Sequence, residues 1–419
     1  MTSLCACTND ARIIDGNSYL SKDAAFWLLA SITLSFLTSS SAPTPLYALY
    51  QAQWGFSPIT VTVIFGIYAL SVLAALLSAG RLSDHLGRRS VLIAATAAQA
   101  VTMMIFATAG GLGGLVLARV LQGLATGAAL GAVGAGMIDL NKERGATANA
   151  VAPTFGTATG GVLSGFLVQY LPAPTHLVYV VLCAIFVLQC IGVALMADTI
   201  APVPGALASL KPQLSLPTAA RGPLLLALPV LVASWALGGF YASLGPMLVR
   251  GILGVDSALL GGLALFVLAA SGGLAVLVLR RRAPRTLMAF GASMLAAGVG
   301  VALWSLPHHA IAVFFAGTSI AGIGFGTGFQ GAMRSIVPYA APHERAGVLS
   351  VVFVVCYLSM GVPAIAAGAL VARHGNILGT AKEFGAVVMA LALTAVLADA
   401  LRTRTGHAAR AERQTHQPE

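Results

Sequence analysis

The chain has 419 residues, 58% of them hydrophobic and only 9% charged, with a mean hydropathy of +0.89. A soluble domain carries about 25% charged residues, so this composition excludes one and points to a polytopic membrane protein. The formal charge of +10 is scattered through short polar stretches and forms no basic stripe, which argues against a nucleic-acid partner.

Cys5 and Cys7 lie in a polar N-terminal tail, while Cys183, Cys190 and Cys356 sit in apolar segments. They offer no disulfide framework, and no histidine stands near Cys5 and Cys7, so no metal site is expected. The first apolar stretch runs from Ala24 to about Tyr50. A signal-peptide core has roughly 7–15 residues, so this stretch is expected to remain in the membrane.

Windows of about 20 apolar residues predict membrane crossings. They fall near 24–50, 59–80, 90–109, 113–138, 146–171 and 176–197, then near 223–249, 257–279, 286–306, 309–333, 346–372 and 383–401. The expected organisation is a tail at 1–23, a first set of six at 24–197, a polar linker at 198–222, a second set at 223–401 and a tail at 402–419. In lipid the backbone must satisfy its own hydrogen bonds, and no barrel-like alternation is present, so every crossing is a helix. The expected fold class is therefore an all-α polytopic membrane protein with twelve transmembrane helices in two pseudo-symmetric six-helix bundles.

Nineteen lysines and arginines fall on the side that carries both chain ends. The other side has three, Arg250, Arg373 and Lys382, and Arg119 stands inside the fourth span. The positive-inside rule then places both termini in the cytoplasm and the protein in the cell inner membrane. An offset of 201 residues aligns Pro45 with Pro246, Gly123 with Gly324, Gly127 with Gly328 and the pair Glu143–Arg144 with Glu344–Arg345. Matched charged pairs at equivalent loops favour a duplicated half over chance similarity of glycine-rich helices.

The loop between the second and third spans reads Gly80-Arg-Leu-Ser-Asp84-His85-Leu-Gly87-Arg88-Arg89. It resembles the signature loop of the major facilitator superfamily, G-x-L-x-D-R-x-G-R-[KR], with His85 where arginine is common. Arg119-Val-Leu-Gln122-Gly123 is similar to that family's R-x-x-Q-G motif in the fourth span. In the fifth, Gly156, Gly160, Gly161 and Gly165 follow its antiporter pattern in part, with Gly161 in place of a proline and Ser164 in place of a glycine. The resemblance implies a transporter with alternating access, in which Gly80, Asp84, Gly87, Arg88 and Arg89 form a conformational latch. Read from the residues alone, Asp84 caps the third span and Gly80 and Gly87 permit a tight reversal. Glycines four apart equally suit close helix packing.

Arg119, Gln122 and Thr126 share one helix face by spacing. A mid-span arginine costs about 2.5–3.5 kcal/mol on insertion scales, so it either faces a polar cavity or snorkels outward. It is the candidate for coupling. By resemblance the central cavity draws on spans 1, 4, 7 and 10, which adds Ser40, Thr44 and Tyr47, then Trp235, Phe240 and Tyr241, then Thr327 and Gln330. Pro43 and Pro45 disturb span 1 near a gate position, while Tyr47 and Tyr50 also suit interface anchoring. Gln99, Tyr68, Phe155, Phe353 and Tyr357 are further path candidates. All thirteen acidic residues map to tails, loops or span ends, so a cationic solute lacks a counter-ion. The leading expectation is proton-coupled efflux of a small organic molecule. The alternative is proton-coupled uptake of a small metabolite or vitamin-like heterocycle. Neither an enzyme nor a cofactor is expected; the partners are a small organic substrate, protons and the bilayer, and the chain is read as a monomer.

Overall fold

The computed structural model describes residues 19–254, 257–341 and 343–415, so Cys5 and Cys7 lie outside the described residues. Twelve helices are long and apolar enough to cross a membrane, and no strand occurs among the described residues. Spans 1 to 6 are Lys22–Trp54, Pro58–Ala79, Arg88–Thr108, Leu112–Leu140, Lys142–Tyr170 and Leu177–Ala194. Spans 7 to 12 are Thr218–Gly251, Ala258–Leu279, Pro284–Ser305, Ile311–Tyr339, Arg345–His374 and Ile377–Leu401. An even number of crossings brings both ends of the described chain to one face, here the terminal face; the opposite one is the far face.

Several helices begin earlier than the apolar windows predict. Span 5 starts at Lys142, where Asn141 Oδ1 accepts the Arg144 N–H at 2.9 Å. Span 12 starts at Ile377 behind Asn376, whose Oδ1 accepts from Gly379 N at 2.9 Å. Span 7 starts at Thr218 and carries Pro223 inside it. Hydropathy marks where lipid begins, whereas the helix begins at a capping side chain in spans 5 and 12 and directly after Pro217 in span 7, which has no side-chain cap.

One apolar core draws on residues from Ala25 to Met196, and two further clusters draw only on residues from Ala220 onward. The halves meet along spans 5 and 8 and along spans 2 and 11. Span 5 is small on two faces. Gly156 and Gly160 turn to span 1, where Thr38 Oγ1 donates to the Gly156 carbonyl at 3.1 Å and Ser41 Oγ to that of Thr157 at 2.8 Å. Gly161 and Gly165 turn to span 8, and a Cβ on them would lie 2.9 Å from the Gly262 carbonyl oxygen and 2.7 Å from that of Ala258. The partial antiporter pattern is thus a packing surface that joins span 5 to its own bundle and to the other one.

The repeat has a packing register of its own. Gly123 and Gly127 lie against Tyr68 and Val72 of span 2, and the residues of span 10 that lie equivalently against span 8 are Gly322 and Gly326. That offset is 199, because Gly324 faces Leu295 and Gly291 of span 9, and Gly328 sits between Gly291 and Val230 of span 7. Identical letters two residues away had masked the structural pair.

Overpacking a helix contact costs about 1–3 kcal/mol. Gly262→Leu is therefore expected to lower the thermal unfolding midpoint of the purified protein by several degrees. Gly222→Leu, where an added Cβ meets nothing within 4 Å, should leave it unchanged.

Candidate functional site

Proline sets the geometry of span 1. Its helix runs Lys22–Ser41, passes through Ala42 and continues as Pro43–Trp54. Pro43 has no N–H, so the Ser39 carbonyl four residues earlier loses its helical donor. Gln122 Nε2 replaces that donor at 2.9 Å, and Arg119 Nη1 donates at 2.9 Å to the adjacent Ser40 carbonyl. Beyond the kink, the Tyr47 hydroxyl accepts from Arg119 Nε at 3.0 Å and from Nη2 at 2.6 Å. Arg119 Nη1 also donates to Gln122 Oε1 at 2.6 Å, and Thr126 Oγ1 donates to the Gln122 carbonyl at 2.7 Å. Arg119 and Gln122 together staple the two segments of span 1 across the kink.

Arg119, Gln122 and Thr126 are fully buried, so Arg119 does not snorkel. No carboxylate pairs with Arg119 among the described ion pairs. Its guanidinium lies 5.1 Å from the Tyr68 ring centroid, 5.6 Å from that of Tyr47 and 5.7 Å from that of Phe106. Four charge-assisted hydrogen bonds and three aromatic faces stand where a counter-ion would be. Behind them, Phe106 stacks on Tyr179 with centroids 4.9 Å apart, and the Tyr50 hydroxyl donates to that of Tyr179 at 3.2 Å. Tyr50 and Tyr47 are buried in the first bundle, so neither serves as an interface anchor.

Tyr68 separates Arg119 from the meeting of the halves. It belongs to a cluster with Tyr357, against which Trp235 and Phe353 pack. The Trp235 ring lies 5.1 Å from Tyr357 and 5.6 Å from Phe329, and its buried Nε1–H has no protein partner. Spans 2, 7, 10 and 11 so converge on a charge-free aromatic cluster.

The remaining predicted cavity residues scatter. Phe240 stacks on Phe384 at 4.6 Å, and the Tyr241 hydroxyl meets Thr318 Oγ1 at 2.9 Å, both inside the second bundle. They line a cavity of about 30 Å³ there with Leu237, Phe314 and Leu303. Thr327 bonds back to the Ile323 carbonyl and faces Gly291 of span 9; the Oε1 of Gln330 is buried without a protein partner. Ser40 Oγ bonds back to Leu37, whereas Thr44 Oγ1 crosses to the Ala242 carbonyl of span 7 at 2.8 Å. Gln99 Nε2 binds Ser39 Oγ at 2.7 Å, and Phe155 lies against Gly273 of span 8.

The loop at Gly80–Arg89 forms a tight charged knot on the terminal face. Arg88 is buried and pairs with Asp84, Ser83 Oγ at 2.7 Å and Asp139 at 3.4 Å. The cap on span 3 comes from Asp198 of the linker, whose Oδ1 accepts Arg88 N–H at 2.9 Å; Asp84 does not fill that place. Gly87 has φ +88°, and a side chain there would run into Asp198. The sequence reading missed Asp198 because nothing in a linker's composition marks a cap for a distant helix. Arg89 donates to the Ala194 carbonyl, and the His85 carbonyl accepts Val203 N–H at 2.9 Å. Ser39 and Tyr68 carry signals that sequence does hold: one stands four residues before a proline, the other is a tyrosine inside an apolar span.

The staple makes a definite prediction. Gln122→Leu should destabilise the protein by about 2–4 kcal/mol, about 1 of it through the uncapped Ser39 carbonyl and the rest through the acceptor lost to Arg119. On a Pro43→Ala background the backbone regains its own donor, and the same change should cost clearly less. Thermal unfolding of the four proteins in one detergent measures that coupling.

The sequence profile described as Major Facilitator Superfamily matches residues 28–365. No curated protein matches the chain by sequence. Among solved structures, the chain is similar to the crystal structure of a mutant of the nucleoside transporter NupG. The TM-score is 0.66 at 14% sequence identity, over 90% of this chain and 100% of that one. That likeness shows a shared fold, and the profile match extends over more than half of the chain. The protein is a member of the major facilitator superfamily, a multi-pass membrane protein and a secondary transporter of a small molecule.

Proposed function

We propose that the protein exports a small, planar, uncharged or anionic organic solute across the inner membrane in exchange for protons, by alternating access. The observation that carries the solute class is the aromatic cluster of Tyr68, Trp235, Phe329 and Tyr357, with its unpartnered indole N–H. Ring faces accept a planar solute by stacking, and the free N–H selects one with an acceptor at its edge. The nearest buried charge is the Arg119 guanidinium behind Tyr68, so a permanent cation is repelled and finds no carboxylate at that depth among the described residues. A nucleoside, the solute class named for the structurally similar transporter, has a planar uncharged ring of this kind.

Export is supported by the glycine pattern of span 5, and an inward terminal face by the excess of lysine and arginine there. Import of a metabolite or vitamin-like heterocycle is the second reading. The proline absent at Gly161 and the lack of a carboxylate paired with Arg119 among the described residues favour it. The Gly80–Arg89 loop serves as the latch of the terminal face, with Asp198 and Asp139 fixing Arg88 in place.

Cells overexpressing the protein are expected to gain tolerance to chloramphenicol or novobiocin, lost with a protonophore, and none to the cation ethidium. Raised ethidium tolerance refutes the charge argument, and sensitisation to 5-fluorouridine establishes import. In vesicles, Trp235→Ala should raise KM about fivefold, the effect of one aromatic contact. An unchanged KM removes Trp235 from the solute site.

A further inference from the structure

On the far side a hydrogen bond crosses from one half to the other. Pro246 lies inside span 7 and has no N–H, so the Ala242 carbonyl four residues earlier has no helical donor. Its donor is Thr44 Oγ1 of span 1, at 2.8 Å. Thr44 stands between Pro43 and Pro45 at the kink, and only 1% of its surface is exposed. Nearby polar groups are otherwise engaged: Ser243 Oγ donates to Gly239, and Gln51 Nε2 to Phe56. Pro45 and Pro246 both pack on span 8, one 3.3 Å from the Cβ position of Gly262 and the other 2.9 Å from that of Gly261.

We infer that the Thr44–Ala242 hydrogen bond is the bolt of a far-face gate, made selective for the closed state by the carbonyl that Pro246 releases. Separating spans 1 and 7 removes the donor and leaves a buried acceptor in an apolar wall. Opening is then favourable only once water reaches the carbonyl. A cavity of about 10 Å³ adjoins the bond, lined by Thr44, Tyr47, Gln51, Ser243 and Pro246, and is close to the size of one water. Arg119 acts at one remove, because it fixes Tyr47 one turn beyond Thr44 on the same segment. The inference rests on the proposal that the halves alternate, and neither the solute nor the direction of transport enters it.

The test is the far-face distance in the full chain. A cysteine-free protein carries spin labels at Thr108→Cys and Trp304→Cys, both exposed at the far ends of spans 3 and 9. Double electron–electron resonance in nanodiscs then reads the populations of near and far distances. Thr44→Val is expected to raise the ratio of far to near about fivefold, the equivalent of one net hydrogen bond. Thr44→Ser, which keeps the hydroxyl, should match the wild type. Pro246→Ala gives the carbonyl its own backbone donor, and on that background Thr44→Val should shift the ratio less than about twofold. Two populations that do not respond to Thr44→Val overturn the bolt, as does an equal response with and without Pro246. A single distance in every variant overturns the bolt together with alternation of the halves.

Discussion

Two carbonyls released by proline inside the apolar bundles find side-chain donors, and the contacts of span 1 are arranged around them. Pro43 frees Ser39, which Gln122 caps; Pro246 frees Ala242, which Thr44 caps from the other half. Water does this cheaply at a surface; here, inside the bundles, both donors are side chains. The R-x-x-Q pair and the prolines of span 1 are therefore one device, although they lie far apart in the chain. Its geometry positions Tyr47, and Tyr47 with Tyr68 sets how deep Arg119 is buried.

Arg119 shows how a lone cation is kept without a counter-charge. A buried ion pair repays desolvation only when its geometry is excellent, and removing one partner is severe. Here the charge is spread over a phenol, an amide, a carbonyl and three ring faces. None of these carries a formal charge, so the guanidinium is held by neutral acceptors and ring faces alone. The described ion pairs lie on the terminal face, where Arg88 gathers Asp84 and Asp139, and Asp198 secures its backbone.

The number of helices and the family could be read from sequence because both depend on long apolar windows and a short charged loop. Which face of a helix meets which neighbour could not. Phe240 and Tyr241 have the residue types of a solute site, yet they pack on Phe384 and Thr318 because span 7 turns that flank into its own bundle. Trp235, earlier on the same helix, lies on the flank toward span 11. In an almost uniformly apolar helix there is no polar stripe to tell these flanks apart. The repeat register failed similarly: glycines are so frequent in span 10 that an offset of 201 matched letters, while backbone contact sets 199. Helix starts moved outward wherever a cap such as Asn141 lay beyond the lipid-facing run.

Along the middle of their seam spans 5 and 8 touch through main chain, with Gly161 against Gly262 and Gly165 against Ala258, while Phe155 and Gln169 make side-chain contacts at its ends. Interdigitated side chains resist relative rotation like meshed gears; two smooth backbones do not. Under the proposed alternation this seam is the bearing, and its glycines tolerate almost no increase in size. The aromatic cluster elsewhere carries no such restriction. Substitutions there leave this seam intact, so on the proposed assignment of the cluster to the solute one cargo can be exchanged for another without disturbing it.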